Sequence, residues 1–555
     1  MQQTAVGCAW GGDKRAKAVP LVRYLTARGV WSTKEGVVTR RGMLLTVLLA
    51  FLLGLSLAGA AQTFDPMTFV FATNEEPDTL DPAVTYANTS FREVYVLYDR
   101  LVTYSGASVE AKPMLATSWD VSDDGLTYTF HLRNDVKFHD GTALTANAVL
   151  YSFIRTIEIG KGPSGLYYGI IDKESGEVVD DYTFRLHLRQ SFPPLIPLLG
   201  MTMGAIVNPT VESHAASGDH GEAWLAENSA GSGPFVLESW KRGQELTLAA
   251  NKSYWGGAPK LQRVVIKVVP EASTMRLMLE NGEIDMAEGV GMDAIPALQK
   301  TDGIVVDIVD GMFIQYLCLN NEKGVFADKR LRQAVAHAVD FDSIIQGVYL
   351  GYAIRLRSPI PKPLLGYDET LPLYDFNLGK AAALLKEAGK EAGFTVEFLI
   401  EPNPNWVKMA TAIQSTLKKI GITANIQQYA WATYLDKVMA GEYDLCLMGW
   451  SPDYGDPDQN MWTHLHSSNA GPGWNLARYK NQQVDDWMFQ ARQTNDPVKR
   501  AEDYRKAQEL AIADSPYVWI CQVQFIPVYR SWVKGYTPNP MMNYYIAFDK
   551  VYKEK

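Results

Sequence analysis

The feature that most constrains the fold is a regular alternation of amphipathic helices and short apolar strands in residues 378–449. In chain order, the predicted helices and strands are Leu378–Ala388, Thr395–Ile400, Val407–Ile420, Ala424–Gln428, Thr433–Met439 and Leu445–Gly449. Helices between consecutive strands act as crossover connections, so the strands are expected to pair in parallel. This stretch therefore predicts an α/β sheet covered by helices.

Residues 116–188 follow a different pattern, in which strands succeed one another with few helices between them. The dipeptide Asp124-Gly125 is a strong hairpin signal. After it, apolar and polar side chains alternate as far as Leu132, as they do in a strand with one buried face. The similar run Tyr182–Leu188 is its expected partner, so this stretch predicts an antiparallel α+β block.

A helix is predicted to begin after Asp328, whose short carboxylate is typical of an N-cap. Apolar side chains recur at Leu331, Val335, Val339 and Ile344, at the spacing of one helical face. We therefore expect a single continuous helix across these positions.

The N-terminal part of the chain has the pattern of an export signal. Arg40 and Arg41 precede the apolar run Met43–Ala61, which ends in small residues. A basic flank, an apolar segment and a small-residue exit are typical of a cleavable secretory signal. We expect a mature protein that begins near Gln62. An uncleaved membrane anchor is the alternative, because this run of 19 residues, apolar except for Thr46 and Ser56, is just long enough to span a bilayer.

The segment that precedes this signal is unusually long. Residues 1–36 are interpreted as a start-site artefact, with Val37 or Val38 as the true initiator. The sequence TRR at positions 39–41 leaves the general secretory route and the twin-arginine route both open. The apolar run is not followed directly by a Cys, so no lipid anchor is expected on the exported chain.

Composition excludes several classes of function. Residues 62–555 carry 44 basic and 60 acidic side chains, a net charge of −16. Such a surface repels phosphate backbones, so no nucleic-acid partner is expected. Three Cys remain after the signal, each inside an apolar run: Cys318, Cys446 and Cys521. An odd number without paired spacing predicts buried, inert thiols and no metal site.

A set of short motifs covers nearly the whole mature chain. In order, they are Thr79–Pro82, Leu115–Trp119, Asp124-Gly125, Tyr128–Arg133, Val136–Gly141, Gly231–Phe235, Asn251–Trp255, Gly282–Asp285, Asp328–Asp340 and Gly449–Pro457. In this order they resemble the motifs of family 5 of the extracellular solute-binding proteins, the receptors of oligopeptide-type ABC importers. The chain departs from the family pattern at Ala146–Val149 and at Phe341, which we interpret as surface changes.

The resemblance implies an α/β, two-lobed periplasmic-binding-protein fold (type II) with an extra α+β domain inserted in the first lobe. Residues 1–61 form the N-terminal extension and signal peptide. The implied division of the remainder is 62–106, 226–313 and 524–555 for lobe I, 107–225 for the inserted domain and 314–523 for lobe II. The chain is expected to cross between the lobes near Met312–Asn320 and Gln522–Phe525, and the ligand to lie between lobes that close over it.

The best-defined candidates for ligand binding follow the apolar strand Leu445–Gly449, because ligands of α/β sheets collect at the carboxyl ends of strands. Trp450 is predicted to form a flat wall of the cleft. In the peptide-binding relatives, the acid at the position of Asp453 pairs with the α-amino group of the ligand; a turn-capping role is the alternative. When the cleft closes and expels water, a carboxylate inside it favours ligands with cations or hydroxyl donors, because an unpaired buried charge is unfavourable in free energy.

The resemblance adds further candidates. Trp406 and Trp431 match cleft-facing positions, with core packing as the alternative, and Tyr86 and Asn88 match the opposing wall.

Four more residues complete the set of candidates. Trp474 and Asn475 lie in a loop that is either a rim of the cleft or an ordinary exposed loop. Glu401 is an acid that follows a strand, and Tyr454 is next to Asp453.

The ligand is less constrained than the class of protein. Dipeptide-binding relatives place an Arg against the ligand carboxylate near Ile400–Glu401, and oligopeptide receptors use basic residues at the positions of Val438 and Leu447. This chain has none of these cations, so a peptide carboxylate finds no bidentate partner there. We predict an oligopeptide-like ligand. An oligosaccharide is the alternative, because aromatic walls with acids and amides suit sugars as well.

We therefore expect a periplasmic, monomeric receptor that delivers its ligand to the transmembrane permease of an ABC importer, with no cofactor and no catalytic step. A secreted glycoside hydrolase is the competing hypothesis, because such enzymes also need tryptophans and paired carboxylates. His464 and His466 are interpreted as exposed loop residues, with metal binding as the alternative, because some relatives bind nickel.

Overall fold

The computed structural model describes residues 64–471, 473–542 and 545–555, and three large sheets organise them. We refer to the seven-stranded sheet with its helices as lobe I, to the six-stranded sheet with its helices as lobe II, and to the four-stranded sheet with its helices as the four-stranded domain. The predicted signal segment Met43–Ala61 and the start-site interpretation lie outside the described residues. Within those ranges, no helix combines the length and the apolar character needed to cross a bilayer.

The sheet of lobe I is mixed. In spatial order its strands are Ile304–Val306, Val528–Arg530, Met286–Ala287, Thr68–Thr73, Arg263–Val268, Glu245–Ala250 and Phe235–Lys241. Thr68–Thr73 is parallel to both of its neighbours and buries Phe69 and Phe71. The α-helices from the same parts of the chain are Asn88–Leu97, Ala272–Asn281 and Ile295–Leu298, and the short helix Glu222–Leu225 immediately precedes the second of these parts.

The sheet of lobe II contains the predicted alternation. In spatial order its strands are Ala353–Arg355, Tyr517–Val523, Ile314–Leu319, Leu445–Trp450, Phe394–Ile400 and Ile422–Gln428. Phe394–Ile400 is parallel to both of its neighbours, which confirms the prediction, whereas Ile314–Leu319 is antiparallel to both of its own. Its α-helices are Lys329–Ala338, Phe341–Tyr349, Leu378–Glu387, Pro404–Lys419, Trp431–Ala440, Pro457–Leu465, Gln482–Arg492 and Pro497–Asp514.

The four-stranded domain is antiparallel throughout. In spatial order its strands are Ala116–Val121, Thr127–Leu132, Thr183–His187 and Gly176–Asp180. The predicted hairpin is confirmed, and Gly125 in its turn has a φ of 68°. The helices Ala146–Ile159 and Leu195–Leu199 belong to the same part of the chain. Two further strand pairs join Val102–Tyr104 to Ala111–Pro113 and Val533–Lys534 to Tyr552–Lys553.

The chain passes between lobes I and II twice, through residues 307–313 and 524–527. The two connections lie side by side, because Val309 and Phe525 exchange both backbone hydrogen bonds at 2.9 Å. The first connection thus begins before the crossing that the sequence predicts at 312–320. Each of the three large sheets takes its strands from the segments assigned to it above, whereas the pair Val102–Tyr104 and Ala111–Pro113 lies across the predicted bound at residue 106. The exact domain bounds stay a prediction.

Two predictions about local structure were wrong. The single helix after Asp328 is two helices, Lys329–Ala338 and Phe341–Tyr349. Val339 is extended between them, with φ −84° and ψ 121°. Asp340 starts the second helix, since its Oδ1 accepts a hydrogen bond from the Ser343 N–H at 3.1 Å.

The prediction that the departures from the family pattern are surface changes holds for Asn147 and is wrong for the other positions. Phe341 is 2 % exposed, and the guanidinium of Arg355 lies 3.5 Å from the centre of its ring. In the segment Ala146–Val149 only Asn147 is exposed. The prediction that the cysteines are buried is confirmed: Cys318, Cys446 and Cys521 are buried, and all three are free.

Candidate functional site

A cavity of about 830 Å³ lies between lobes I and II and is lined from both. We call it the interlobe cleft. Glu75, Asn88 and Met292 line it from lobe I. Glu401 and Gly449 line it from lobe II, at the carboxyl ends of two parallel strands, where a ligand site is expected. The volume lies within the range of small-molecule sites.

Two smaller cavities adjoin the interlobe cleft. Met292 and Asn405 also line a cavity of about 390 Å³, whose other walls are largely apolar and come mainly from residues 286–291 and 524–527. Asn88 also lines a cavity of about 40 Å³ beside Asp453. The cleft therefore has an apolar recess at the interlobe connections and a carboxylate beyond Asn88.

Asp453 connects the two lobes. Its Oδ2 accepts a hydrogen bond of 2.5 Å from the Tyr86 hydroxyl of lobe I. The Gln459 amide donates to the same oxygen and accepts from the Asp453 N–H. Burial raises the pKa of Asp453 to about 6, although the hydrogen bonds from Tyr86 and Gln459 act in the opposite direction. The Asp453 carboxylate is therefore fixed at the lobe boundary by hydrogen bonds from neutral donors alone.

Trp406 and Trp431 both line the interlobe cleft, but they are held differently. Trp406 is 6 % exposed, and its Nε1 donates a hydrogen bond of 3.0 Å to Gln315 Oε1. Trp431 is 42 % exposed at the start of its helix, with its ring centre 5.9 Å from that of Tyr434. Trp406 is thus a fixed part of the wall, whereas Trp431 offers a free ring face.

Trp450 and Trp474 do not line these three cavities. Their ring centres lie 5.2 Å apart, and Trp450 also packs edge-on against His464 at 5.6 Å. The residue before Trp450 must be small: a Cβ on Gly449 would lie 2.4 Å from the Phe313 ring. Trp450 as a cleft wall and Trp474 as a rim stay predictions, since the structure places the two rings against each other.

Tyr454 and Asn475 are buried and occupied by internal contacts. The Tyr454 hydroxyl donates to Asp458 Oδ2 at 3.3 Å. The Asn475 side chain donates to the Tyr479 carbonyl at 2.8 Å and accepts from the Tyr479 N–H at 3.1 Å. We therefore leave both out of the contact set proposed below.

Two buried ion pairs fix the segment that carries Asp453. Arg500 donates to both oxygens of Asp456, at 2.7 and 2.8 Å. Arg492 donates to both oxygens of Asp458, at 2.6 and 2.8 Å. Asp456 also caps the helix Pro457–Leu465 by accepting from the Asp458 N–H. Asp456 and Asp458 are therefore ion-paired within the fold, and Asp453 is the acid of this segment that faces the lobe boundary.

His464 and His466 are not a metal-binding pair. His464 is fully buried on a helix, which contradicts its interpretation as an exposed loop residue. Its ring nitrogens lie 2.7 Å from the Asn460 carbonyl and 2.9 Å from the Tyr316 hydroxyl. Burial lowers the pKa of His464 to about 4. Across the described part of the chain, no group of three or more His, Cys, Asp or Glu is arranged to hold a metal ion.

Sequence reasoning missed several residues of the cleft. Glu75 follows the buried strand Thr68–Thr73, and Glu288 follows Met286–Ala287, so the strand-end rule used for Asp453 would have found both. Asn405 lies in the first turn of a helix that follows another strand end. The apolar recess has no such signal, because Phe71 and Phe525 meet there from distant parts of the sequence.

Comparison with known proteins shows which family shares the sequence and fold of this chain. A model of the bacterial extracellular solute-binding proteins, family 5 middle, matches residues 110–472. The chain is 36% identical over 502 residues to the "Probable D,D-dipeptide-binding periplasmic protein DdpA" of Escherichia coli, covering 89% of this chain and 96% of the relative. It is 32% identical over 496 residues to "Heme-binding protein A" of Haemophilus influenzae, covering 85% and 90%.

A solved structure gives the same result for the fold. The ABC transporter-associated periplasmic binding protein DppA from Helicobacter pylori, in complex with the peptide STSA, has a TM-score of 0.76 and 33% identity, covering 88% of this chain and 98% of that one. The fold and its cleft are those of a two-lobed, type II periplasmic binding protein. The chain belongs to family 5 of the bacterial extracellular solute-binding proteins, the receptors of ABC importers, as its motifs predict.

Proposed function

We propose that the protein is a periplasmic, monomeric receptor that captures an oligopeptide-like ligand in the interlobe cleft and delivers it to the transmembrane permease of an ABC importer. One observation carries this proposal: a cavity large enough for a small oligomer is lined from both lobes, beside a hydrogen bond from Tyr86 to Asp453 across the lobe boundary. A ligand that contacts both lobes stabilises the closed arrangement, which then docks on the permease.

The proposed contacts follow from the geometry of the cleft. Asp453 receives the amino group of the ligand in place of the Tyr86 hydroxyl. Trp431 packs its exposed ring face on the ligand, and Glu401 and Asn88 provide polar contacts from opposite lobes. The sequence-based division into two lobes and an inserted domain is part of this proposal, because closure requires the lobes to move as units.

An oligosaccharide is the second candidate ligand. Trp431 presents a partly exposed ring face, and the amides of Gln315, Asn403 and Asn405 line the same cleft. Aromatic faces and amides are the groups that contact sugar rings and hydroxyls. This ligand changes the cargo and leaves the receptor role unchanged.

The experiment is calorimetric titration of the purified protein with di- to pentapeptides and with matched glycans, followed by mass spectrometry of the recovered ligands. We expect one peptide per protein, recovered with unchanged mass. Binding of glycans alone selects the second candidate. Shortened products after prolonged incubation would replace the receptor with a hydrolase.

The export part of the proposal has its own test. The segment Met43–Ala61 is expected to be removed during export. N-terminal sequencing of protein from the periplasmic fraction should begin near Gln62. A membrane-bound protein that retains the segment would support the anchor alternative.

A further inference from the structure

The charges that line the interlobe cleft are unbalanced. The described residues that line it and its two adjoining cavities include no Lys, Arg or His. They include four acids, namely Glu75, Glu288, Glu401 and Asp453. Arg92 of lobe I pairs with Glu288 at 3.0 Å, from behind the wall, where it is 2 % exposed. None of the ion pairs within the described ranges involves the other three acids.

The groups that remain for an anionic ligand are neutral. The side-chain N–H donors of the lining are amides and indoles, among them those of Gln315, Asn405 and Trp431. A ligand carboxylate that enters the closed cleft gives up hydration, meets no guanidinium or ammonium, and lies near carboxylates of its own sign. Like-charge contact of this kind is a strong source of selectivity in recognition.

The positions of the acids also link ligand charge to closure. Glu75 belongs to lobe I and Glu401 to lobe II, and both line the same cavity. When the lobes approach each other without a ligand, two carboxylates are brought to the walls of one space. A cationic group between them replaces this repulsion by two attractions, so it favours the ligand and the closed state together.

We propose that the cleft selects peptides that carry positive charge and no free C-terminal carboxylate, such as C-terminally amidated peptides with a free amino terminus and a basic side chain. The inference rests on the proposed function and narrows its ligand class. The amino terminus pairs with Asp453, the basic side chain lies between Glu75 and Glu401, and the neutral C-terminus meets the amides.

The test compares a matched pair of peptides, Ala-Lys-Ala as the free acid and as the C-terminal amide, by calorimetric titration near neutral pH. We expect the amide to bind at least about tenfold more tightly. The difference should shrink in about 0.5 M salt, because screening weakens the repulsion between the peptide carboxylate and the cleft acids.

Two variants separate a local from a global effect of charge. Glu401→Lys puts a cation on the wall of the cleft and should reverse the preference in favour of the free acid. Glu391→Lys makes the same change of net charge in the exposed loop before the strand that Glu401 follows, and should keep the preference of the parent protein. If Glu401→Lys does not fold, Glu401→Gln should still narrow the difference.

The outcomes are distinguishable. If the free acid binds as tightly as the amide, or more tightly, the charge selection is wrong and the receptor proposal stands. If neither peptide binds while a glycan does, the inference and the peptide cargo of the proposed function are both overturned. A preference for the amide that Glu391→Lys abolishes as fully as Glu401→Lys would also overturn the inference, because the effect would then come from net charge.

Discussion

Asp453 is a carboxylate whose ionisation depends on its surroundings, since burial raises its pKa to about 6. Only its ionised form pairs with a ligand ammonium. We therefore expect the affinity for a peptide with a free amino terminus to fall as the pH drops from about 7.5 to about 5. Asp453→Asn should remove this dependence and weaken binding at the higher pH by about 2–5 kcal/mol. Calorimetry at the two pH values measures both effects.

The same substitution has the opposite effect on the ligand-free protein. Because the pKa of Asp453 is raised on folding, its protonated form favours the folded state, and this contribution is lost as the pH rises through about 6. Asp453→Asn should therefore raise the free energy of unfolding near neutral pH by about 1–3 kcal/mol and change it little near pH ~4. Urea titration at the two pH values provides the check, and a loss of stability near neutral pH would contradict the argument.

Trp450 and Trp431 differ in what surrounds their rings. Trp450 packs on Trp474 and His464, so Trp450→Ala should lower the free energy of unfolding by about 2–4 kcal/mol. Trp431 is 42 % exposed on the cleft, so Trp431→Ala should leave stability nearly unchanged and weaken ligand binding. Urea titration and calorimetry on both variants make the comparison. If Trp450→Ala is as stable as the parent protein but binds the ligand more weakly, Trp450 belongs to the cleft wall.

At the scale of elements, the helix Pro457–Leu465 is tied to its neighbours by buried charges. The side chains of Asp456 and Arg500 are 6 % and 8 % exposed, and Asp456 is also the N-cap. Asp456→Ala leaves a buried guanidinium unpaired and removes a cap, so it should cost about 3–5 kcal/mol of stability. The double variant Asp456→Ala/Arg500→Met should lose less. Urea titration of the parent protein and of these two variants tests this, and equal losses for the single and the double variant would contradict the pairing.

The sequence predicts elements whose signals are local. Alternation and helical spacing locate the parallel strands of lobe II, because each pattern lies within one element. The break at Val339 cannot be predicted from spacing, since the apolar spacing continues across it. Only the capping by Asp340 shows that a new helix starts there. Partners of single side chains are harder still. The strand-end rule identifies the edge that carries Asp453 and Trp450, but it cannot tell that Trp450 packs on Trp474.

At the scale of the whole molecule, lobes I and II meet at the two connections and again beside Asp453, where the Gly455 N–H of lobe II donates to the Tyr104 hydroxyl of lobe I at 2.8 Å. The two connections lie side by side through Val309 and Phe525, which allows the lobes to rotate about them. Far from the connections in sequence, Tyr86 of lobe I donates to Asp453 of lobe II. A ligand amino group that binds Asp453 takes over this bond, so the ligand replaces an internal contact of the closed state by its own.

Tyr86→Phe removes the hydrogen bond that joins the lobes at Asp453. A hydrogen bond to a charged group contributes about 1.5–3 kcal/mol, so its loss should shift the ligand-free protein towards open conformations. The radius of gyration from X-ray scattering should be larger for Tyr86→Phe than for the parent without ligand, and the same for both with saturating ligand. Tyr151→Phe is the control, because the Tyr151 hydroxyl donates to Glu212 at 2.9 Å within residues 107–225 and away from the lobe boundary. If Tyr86→Phe and Tyr151→Phe scatter alike without ligand, the bond from Tyr86 to Asp453 does not govern closure, and the attraction of the ligand for both walls must do so alone.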